Sequence, residues 1–158
     1  GDAHLVHFPE ANYEAKNLKS LLANDEIEKI FHFARFDVAV VKKYLGILVQ
    51  NIFCTKISSR LVRTYTDHHG LKELCSEIAG VNISKGQQCS NWGKAELTPA
   101  QIKYAAQDVL FLHKIKEEMV ILLQAENRLE VAQSCFKFLP IRAELDLLGW
   151  NEFDIFQH

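Results

Sequence analysis

The sequence is most informative first for what it has little of. Three prolines and seven glycines in 158 residues leave no proline-rich or glycine-rich linker, and there is no repeat or low-complexity run. One folded domain spanning residues 1–158 is therefore expected, with no separate carboxy-terminal RNA-binding domain. The four cysteines, Cys54, Cys75, Cys89 and Cys135, include no pair at Cys-x-x-Cys spacing. That argues against a structural zinc site and a disulfide framework, and points to a reducing, cytoplasmic setting. No apolar run is long enough to span a bilayer, and no charged-then-apolar leader precedes the first elements, so no membrane partner is expected. Excess positive charge is also missing. Eighteen Lys and Arg against twenty Asp and Glu give a formal net charge of -2. This excludes a strongly basic nucleic-acid-coating protein, but not an enzyme that grips nucleic acid through metal ions and a local basic patch. The chain begins with Gly rather than Met, as a processed or excised chain does.

What is present is 48% hydrophobic and 24% charged, the balance of a globular protein. His4–Phe8 reads as a short strand ended by Pro9, and Tyr13–Leu22 as a helix. Ile27–Phe33 reads as a buried strand running into a helix over Arg35–Leu45, which Gly46 stops. A strand at Val49–Cys54 precedes a helix over Lys56–Tyr65 and a turn at Asp67–Gly70. Leu71–Ile78 is a helix closed by Gly80, and Asn82–Gly93 an irregular loop. Thr98-Pro99-Ala100-Gln101 is a capping box with Pro at the first helical position. It opens a helix reaching about Ala125, whose Ile102, Ala105, Ala106, Val109 and Leu112 are expected to face the core. A last helix, Leu129–Phe138, is expected to stop before Pro140. Alternating strands and helices imply an α/β sandwich around a small sheet.

Three groups of residues have chemical potential. Asp37 lies where a strand enters a helix; taken alone, it is a carboxylate favoured by the positive helix end. Tyr104 and Asp108 share one helical face at a four-residue spacing. An acid bordering a packed face needs a partner, either a Lys or Arg or a divalent cation. Lys56, Arg60 and Arg63 form a basic helical stripe, readable as a solvated face or as a phosphate contact. The remaining histidines do not form a metal site by spacing. His4 and His7 would point to opposite faces of a strand, and His68 and His69 are adjacent in a turn. No phosphate-cradling glycine loop and no nucleophile elbow is present.

Taken in order, three stretches resemble the ribonuclease D group of the DEDD 3′→5′ exonucleases, in its tyrosine-containing subclass. His32-Phe33-Ala34-Arg35-Phe36-Asp37 is similar to that family's second motif. Asn51 to Gly80, with Asp67-His68-His69-Gly70-Leu71-Lys72, is similar to the segment between motifs. Gln87 to Trp92, Leu97-Thr98-Pro99 and Tyr104-Ala105-Ala106-Gln107-Asp108 are similar to the third motif and its approach. Asn91 departs from the Asp common before this Trp.

The resemblance implies a ribonuclease H-like fold, a mixed sheet flanked by helices. It implies hydrolysis at RNA 3′ ends with two divalent ions, Mg2+ or Mn2+, held by four carboxylates. Asp37 and Asp108 would be metal ligands, Tyr104 would orient the attacking water, and His32, Lys56, Arg60 and Arg63 would contact the nucleic acid. The family's first motif, Asp-x-Glu on the first strand, has no counterpart upstream of Asp37. His4–Phe8 resembles the family's third strand, so the first two strands are expected to be missing. Three accounts stay open: a fragment of a longer active enzyme, a natural truncation that binds RNA with impaired catalysis, or a chain that completes its sheet as a homodimer across exposed edges.

Overall fold

The computed structural model describes residues 2–8, 12–83 and 86–157. Its order is α1 (Lys16–Ala23), β1 (Lys29–Phe31), α2 (Ala34–Leu45), β2 (Ile52–Cys54), α3 (Thr55–Val62) and α4 (Leu71–Leu74). A π-helical turn, Cys75–Ala79, follows α4, and then come α5 (Pro99–Leu110), α6 (Leu112–Ala125) and α7 (Leu129–Leu145). A second π-helical stretch, Asp146–Trp150, extends α7. No helix among the described residues is long and apolar enough to cross a membrane.

β1 and β2 pair in parallel, with Lys29 opposite Ile52, Ile30 opposite Phe53 and Phe31 opposite Cys54. All of β2 is buried, as a short apolar strand covered by helices on both faces must be. The crossover between the strands is α2, which buries Ala34, Val38 and Leu45 along one side. Gly46 ends it in the left-handed region (φ 71°), its N–H bonding the Lys42 carbonyl at 3.1 Å. Ile115, Met119 and Leu123 of α6 and Ala132, Phe136, Leu139 and Ala143 of α7 complete the core around the strands. Phe136 packs on Phe53 with ring centroids 4.9 Å apart.

Four expectations change. His4–Phe8 forms no strand, and its Leu5 and Val6 are about half exposed. A strand is held by its ladder bonds, and among the described residues this segment has no ladder partner. Pro9, its expected end, lies outside the described residues. The long helix after the capping box bends at Phe111 (φ -103°, ψ -2°), so α6 enters the core while α5 leaves it. Accordingly Ile102 and Val109 are about half exposed rather than core-facing, and Gln101 is the buried residue of α5. Finally, α7 runs through Pro140. An interior proline costs about 3 kcal/mol, but Leu139, Pro140 and Ala143 are all buried, and that packing outweighs the lost bond.

Candidate active site

A cavity of about 490 Å3 opens between the carboxyl end of β1, the first turn of α2, the start of α3 and the inner face of α5. His32, Phe33, Asp37, Lys56, Tyr104 and Asp108 all line it. Residues distant in sequence thus meet at a strand's carboxyl end, the usual place for a site in an α/β fold. A larger cavity, about 630 Å3, lies between β2, α6 and α7. The acid on its wall, Glu28, is ion-paired to Lys116, so that cavity has no free carboxylate to offer an ion.

Asp37 sits in the first turn of α2, where the helix end favours negative charge. Burial nevertheless dominates and pushes its carboxyl up to about 6, with a bond from its own backbone N–H opposing the shift. Burial also raises Asp108 above the usual carboxylate range. Among the described residues neither acid has a Lys or Arg in ion-pair contact. Two desolvated, uncompensated carboxylates facing one cavity are chemically suited to a cation, whose charge would offset the burial that raises both. No three His, Cys, Asp or Glu side chains converge on one point among the described residues, so these two acids are a partial donor set.

Tyr104 stands one turn before Asp108 on α5. Its phenol is raised above the ordinary tyrosine value by burial, by the Asp108 charge and by Cys89. It therefore keeps its proton at neutral pH and can donate or accept a hydrogen bond, but cannot serve as a strong base. Trp92 packs on it at 6.0 Å between centroids. The loop bearing Trp92 is tied to the helix start by Gln101, whose side chain donates to Ser90 Oγ and the Asn91 carbonyl, both at 3.0 Å. The capping box thus does more than begin a helix. Thr98 Oγ1 accepts from the Gln101 backbone N–H at 3.3 Å while Gln101 Oε1 accepts from the Thr98 N–H at 2.9 Å.

His32 contacts Thr55 Oγ1 through Nδ1 at 3.0 Å, and that hydroxyl donates to the Phe31 carbonyl at 3.2 Å. With its hydrogen committed, Thr55 can only accept from the ring, so Nδ1 carries the proton and Nε2 is an acceptor. Burial, reinforced by Lys56, pushes the imidazole down to about 4. His32 is neutral at physiological pH and has no charge with which to grip a phosphate.

The basic stripe divides. Lys56 reaches the cavity. Arg60 is exposed and does not line the cavity. Arg63 is turned inward, 4% exposed, and is a correction to its expected role in nucleic-acid contact. It caps α3 with a non-helical backbone and donates to Ser59 Oγ at 3.2 Å, to the His68 carbonyl at 2.8 Å and to Glu77. A buried guanidinium must be paired, and this one is used up in holding the turn after α3.

Phe33 and Asp146 escape a motif-based reading. Phe33 occupies the residue before α2 in a left-handed conformation (φ 67°, ψ 45°), and Lys56 Nζ lies 4.2 Å from its ring centroid. The available signal is an aromatic at a helix cap, where Ser, Thr, Asp or Asn is favoured. Asp146 takes a bidentate bond from Arg35, both contacts at 2.7 Å, and a second guanidinium, Arg142, at 3.0 Å. It lies beyond Pro140, where the helix was not expected to continue.

A family profile described as 3′-5′ exonuclease matches residues 1–124. The chain belongs to the 3′-5′ exonuclease family. It is 34% identical over 112 residues to the ribonuclease D of Xanthomonas oryzae pv. oryzae, covering 71% of this chain and 31% of that enzyme. The chain thus spans about a third of the length of the curated relatives it matches. Among solved structures, Brucella melitensis NrnC bound to pGG superposes with a TM-score of 0.91 at 52% identity, covering 95% of this chain and 72% of that one. The Mg2+-bound form of NrnC gives 0.88 at 52% identity, covering 92% and 70%. The exonuclease domain has the ribonuclease H-like α/β fold of these nucleases, here mostly helical around a small parallel sheet.

Proposed function

We propose that this chain carries the metal-dependent 3′→5′ exonuclease site of a ribonuclease D-like enzyme that hydrolyses phosphodiester bonds at RNA 3′ ends. The observation that carries the reading is the meeting of Asp37, Tyr104 and Asp108 in one cavity. The Mg2+ and pGG held by the related NrnC support a divalent ion and a short nucleic-acid strand as its occupants.

In this reading Asp37 and Asp108 hold divalent metal, and the Asp-x-Glu that supplies two further carboxylates in the family does not occur in these 158 residues. Bound divalent ions supply activation of water and charge stabilisation at the phosphate and leaving oxygen. The protein's own groups do the rest. The protonated Tyr104 phenol orients the attacking water, and Trp92 holds that ring in place. Lys56 offers charge to a neighbouring phosphate. Neutral His32 offers Nε2 as an acceptor to a hydroxyl of the bound strand.

The test is digestion of a 5′-labelled single-stranded RNA by the purified 158-residue chain, in Mg2+ or Mn2+ and in EDTA. Shortening from the 3′ end that requires metal and disappears in Asp108→Asn is expected. Intact RNA under every condition refutes catalysis by this chain. A second reading, RNA binding without cleavage, draws on the fact that no third ligand joins the two acids among the described residues. It predicts salt-sensitive RNA binding with no shortened product.

A further inference from the structure

We propose that Gln101 is a positioning residue for the reaction: its side-chain amide, by holding Ser90 and Asn91, seats Trp92 against Tyr104 and so fixes the phenol beside Asp108. This rests on the reading above that Tyr104 works at the cavity.

The first support is what capping leaves unexplained. The third helical position of a capping box needs only an acceptor for the Thr98 N–H, and Glu would supply one with a charge suited to the helix end. Gln101 is neutral and 3% exposed, the buried residue of α5. Its Oε1 accepts from the Thr98 N–H at 2.9 Å and from Thr98 Oγ1 at 3.1 Å. That leaves Nε2, which a Glu lacks. Both of its hydrogens are used, one on Ser90 Oγ and one on the Asn91 carbonyl, each at 3.0 Å. The amide cannot be turned over, because Oε1 would then face the Asn91 carbonyl and Nε2 the Thr98 N–H.

The second is reach. Ser90 and Asn91 stand eleven and ten residues before Gln101. Ser90 Oγ donates in turn to the Gln87 carbonyl at 2.8 Å, and Asn91 Oδ1 accepts from the Gly93 N–H at 3.0 Å. The backbone is thus held on both sides of Trp92.

The third is direction. Gln101, Tyr104 and Asp108 follow one another at three- and four-residue steps along α5 and share a face. The amide holds the loop at the first turn of that face, and Trp92 meets Tyr104 at the next, with ring centroids 6.0 Å apart. Tyr104 and Asp108 line the cavity, whereas Gln101 and Trp92 do not. Gln101 therefore acts on the site through Trp92 and touches nothing that reacts.

The test compares Gln101→Glu, which keeps the capping acceptor and loses the donor, with Thr98→Ala, which strips the cap and keeps the donor. In the 158-residue chain carrying Trp150→Phe, Trp92 is the sole tryptophan, and acrylamide quenching in EDTA reads how firmly it is seated. Gln101→Glu should raise the quenching constant. Thr98→Ala should lower the denaturation midpoint without loosening Trp92. With Mg2+ and a 5′-labelled single-stranded RNA, Gln101→Glu should lower kcat about 10- to 100-fold at unchanged KM. In a Tyr104→Phe background the same substitution should lower it no further, because the effect passes through Tyr104. Unchanged quenching or unchanged kcat in Gln101→Glu overturns the proposal, as does an equal loss of kcat with and without the Tyr104 hydroxyl. RNA left intact by the wild-type chain overturns the catalytic reading of Tyr104 and the role of Gln101 with it, and the quenching comparison tells that failure apart from a misassigned loop tether.

Discussion

Replacing Asp37 by Asn removes a charge that the metal-free fold is poorly equipped to hold. The carboxyl is pushed up to about 6 from an ordinary value of 3.8, chiefly by burial. Two pKa units correspond to about 3 kcal/mol, and partial solvent access reduces this to about 1–3 kcal/mol. The sign follows from which state holds the proton. Below about pH 4 both folded and unfolded chains are protonated and no penalty exists. As pH rises towards 6 the unfolded chain ionises first, so stability falls, and above 6 the penalty is complete. Asp37→Asn should therefore raise stability at pH 7.5 in EDTA, by roughly 3–10 °C in melting temperature for a chain of this size. Loss of the favourable charge at the start of α2 trims the gain by a few tenths of a kcal/mol.

Wild-type protein alone would conceal this effect. His32 is pushed down to about 4, so its contribution is complete above its unfolded value near 6.5 and is lost as pH falls towards 4. The two groups oppose each other over the same window and flatten the profile. The difference between wild type and Asp37→Asn cancels His32 and leaves the carboxylate. Urea or thermal unfolding at half-unit steps from pH 4 to 8 measures it. The advantage of the variant should shrink towards zero near pH 4. It should also narrow when Mg2+ is added at pH 7.5, because an ion bound only by the fold stabilises wild type. A variant no more stable than wild type at pH 7.5, or an advantage unchanged at pH 4, refutes the account of an uncompensated carboxylate.

Asp146 clamps the start of α2 to the end of α7 through Arg35 and Arg142. Asp146→Asn should cost about 1.5–3 kcal/mol in urea unfolding, whereas Lys42→Ala, which breaks an exposed pair to Glu144, should cost under about 1 kcal/mol. Arg63→Ala should cost about 2–4 kcal/mol because it strips a buried network, while Arg60→Ala should leave stability within about 0.5 kcal/mol. Equal losses for the two arginines would contradict the division of the basic stripe between surface and interior.

The legible parts of this chain are those governed by neighbours in sequence. The capping box at Thr98, the stop at Gly46 and the one-turn spacing of Tyr104 and Asp108 depend on a few adjacent residues, and each is found as read. Boundaries that depend on tertiary contact were not legible. Pro140 is a stop signal to the local chain, but α7 passes through it because one side is sunk in the core. Ile102 and Val109 follow a core-facing pattern, but the bend at Phe111 leaves them exposed. Arg63 continues a surface stripe by periodicity, but α3 ends just before it and its side chain turns inward.

The same distinction explains why a motif identifies Asp37 without explaining its placement. The six residues from His32 to Asp37 are held by three tethers from elsewhere in the chain. Thr55 fixes the His32 ring and the Phe31 carbonyl, Lys56 lies over Phe33, and Asp146 grips Arg35 from more than a hundred residues away. The tethers come from α3 and from the π-helical stretch that extends α7. A carboxylate two residues beyond Arg35 therefore has little freedom to retreat to solvent, although burial makes that retreat favourable for a lone charge. The fold holds Asp37 at the cavity against its own desolvation cost, which the divalent ion proposed above would offset.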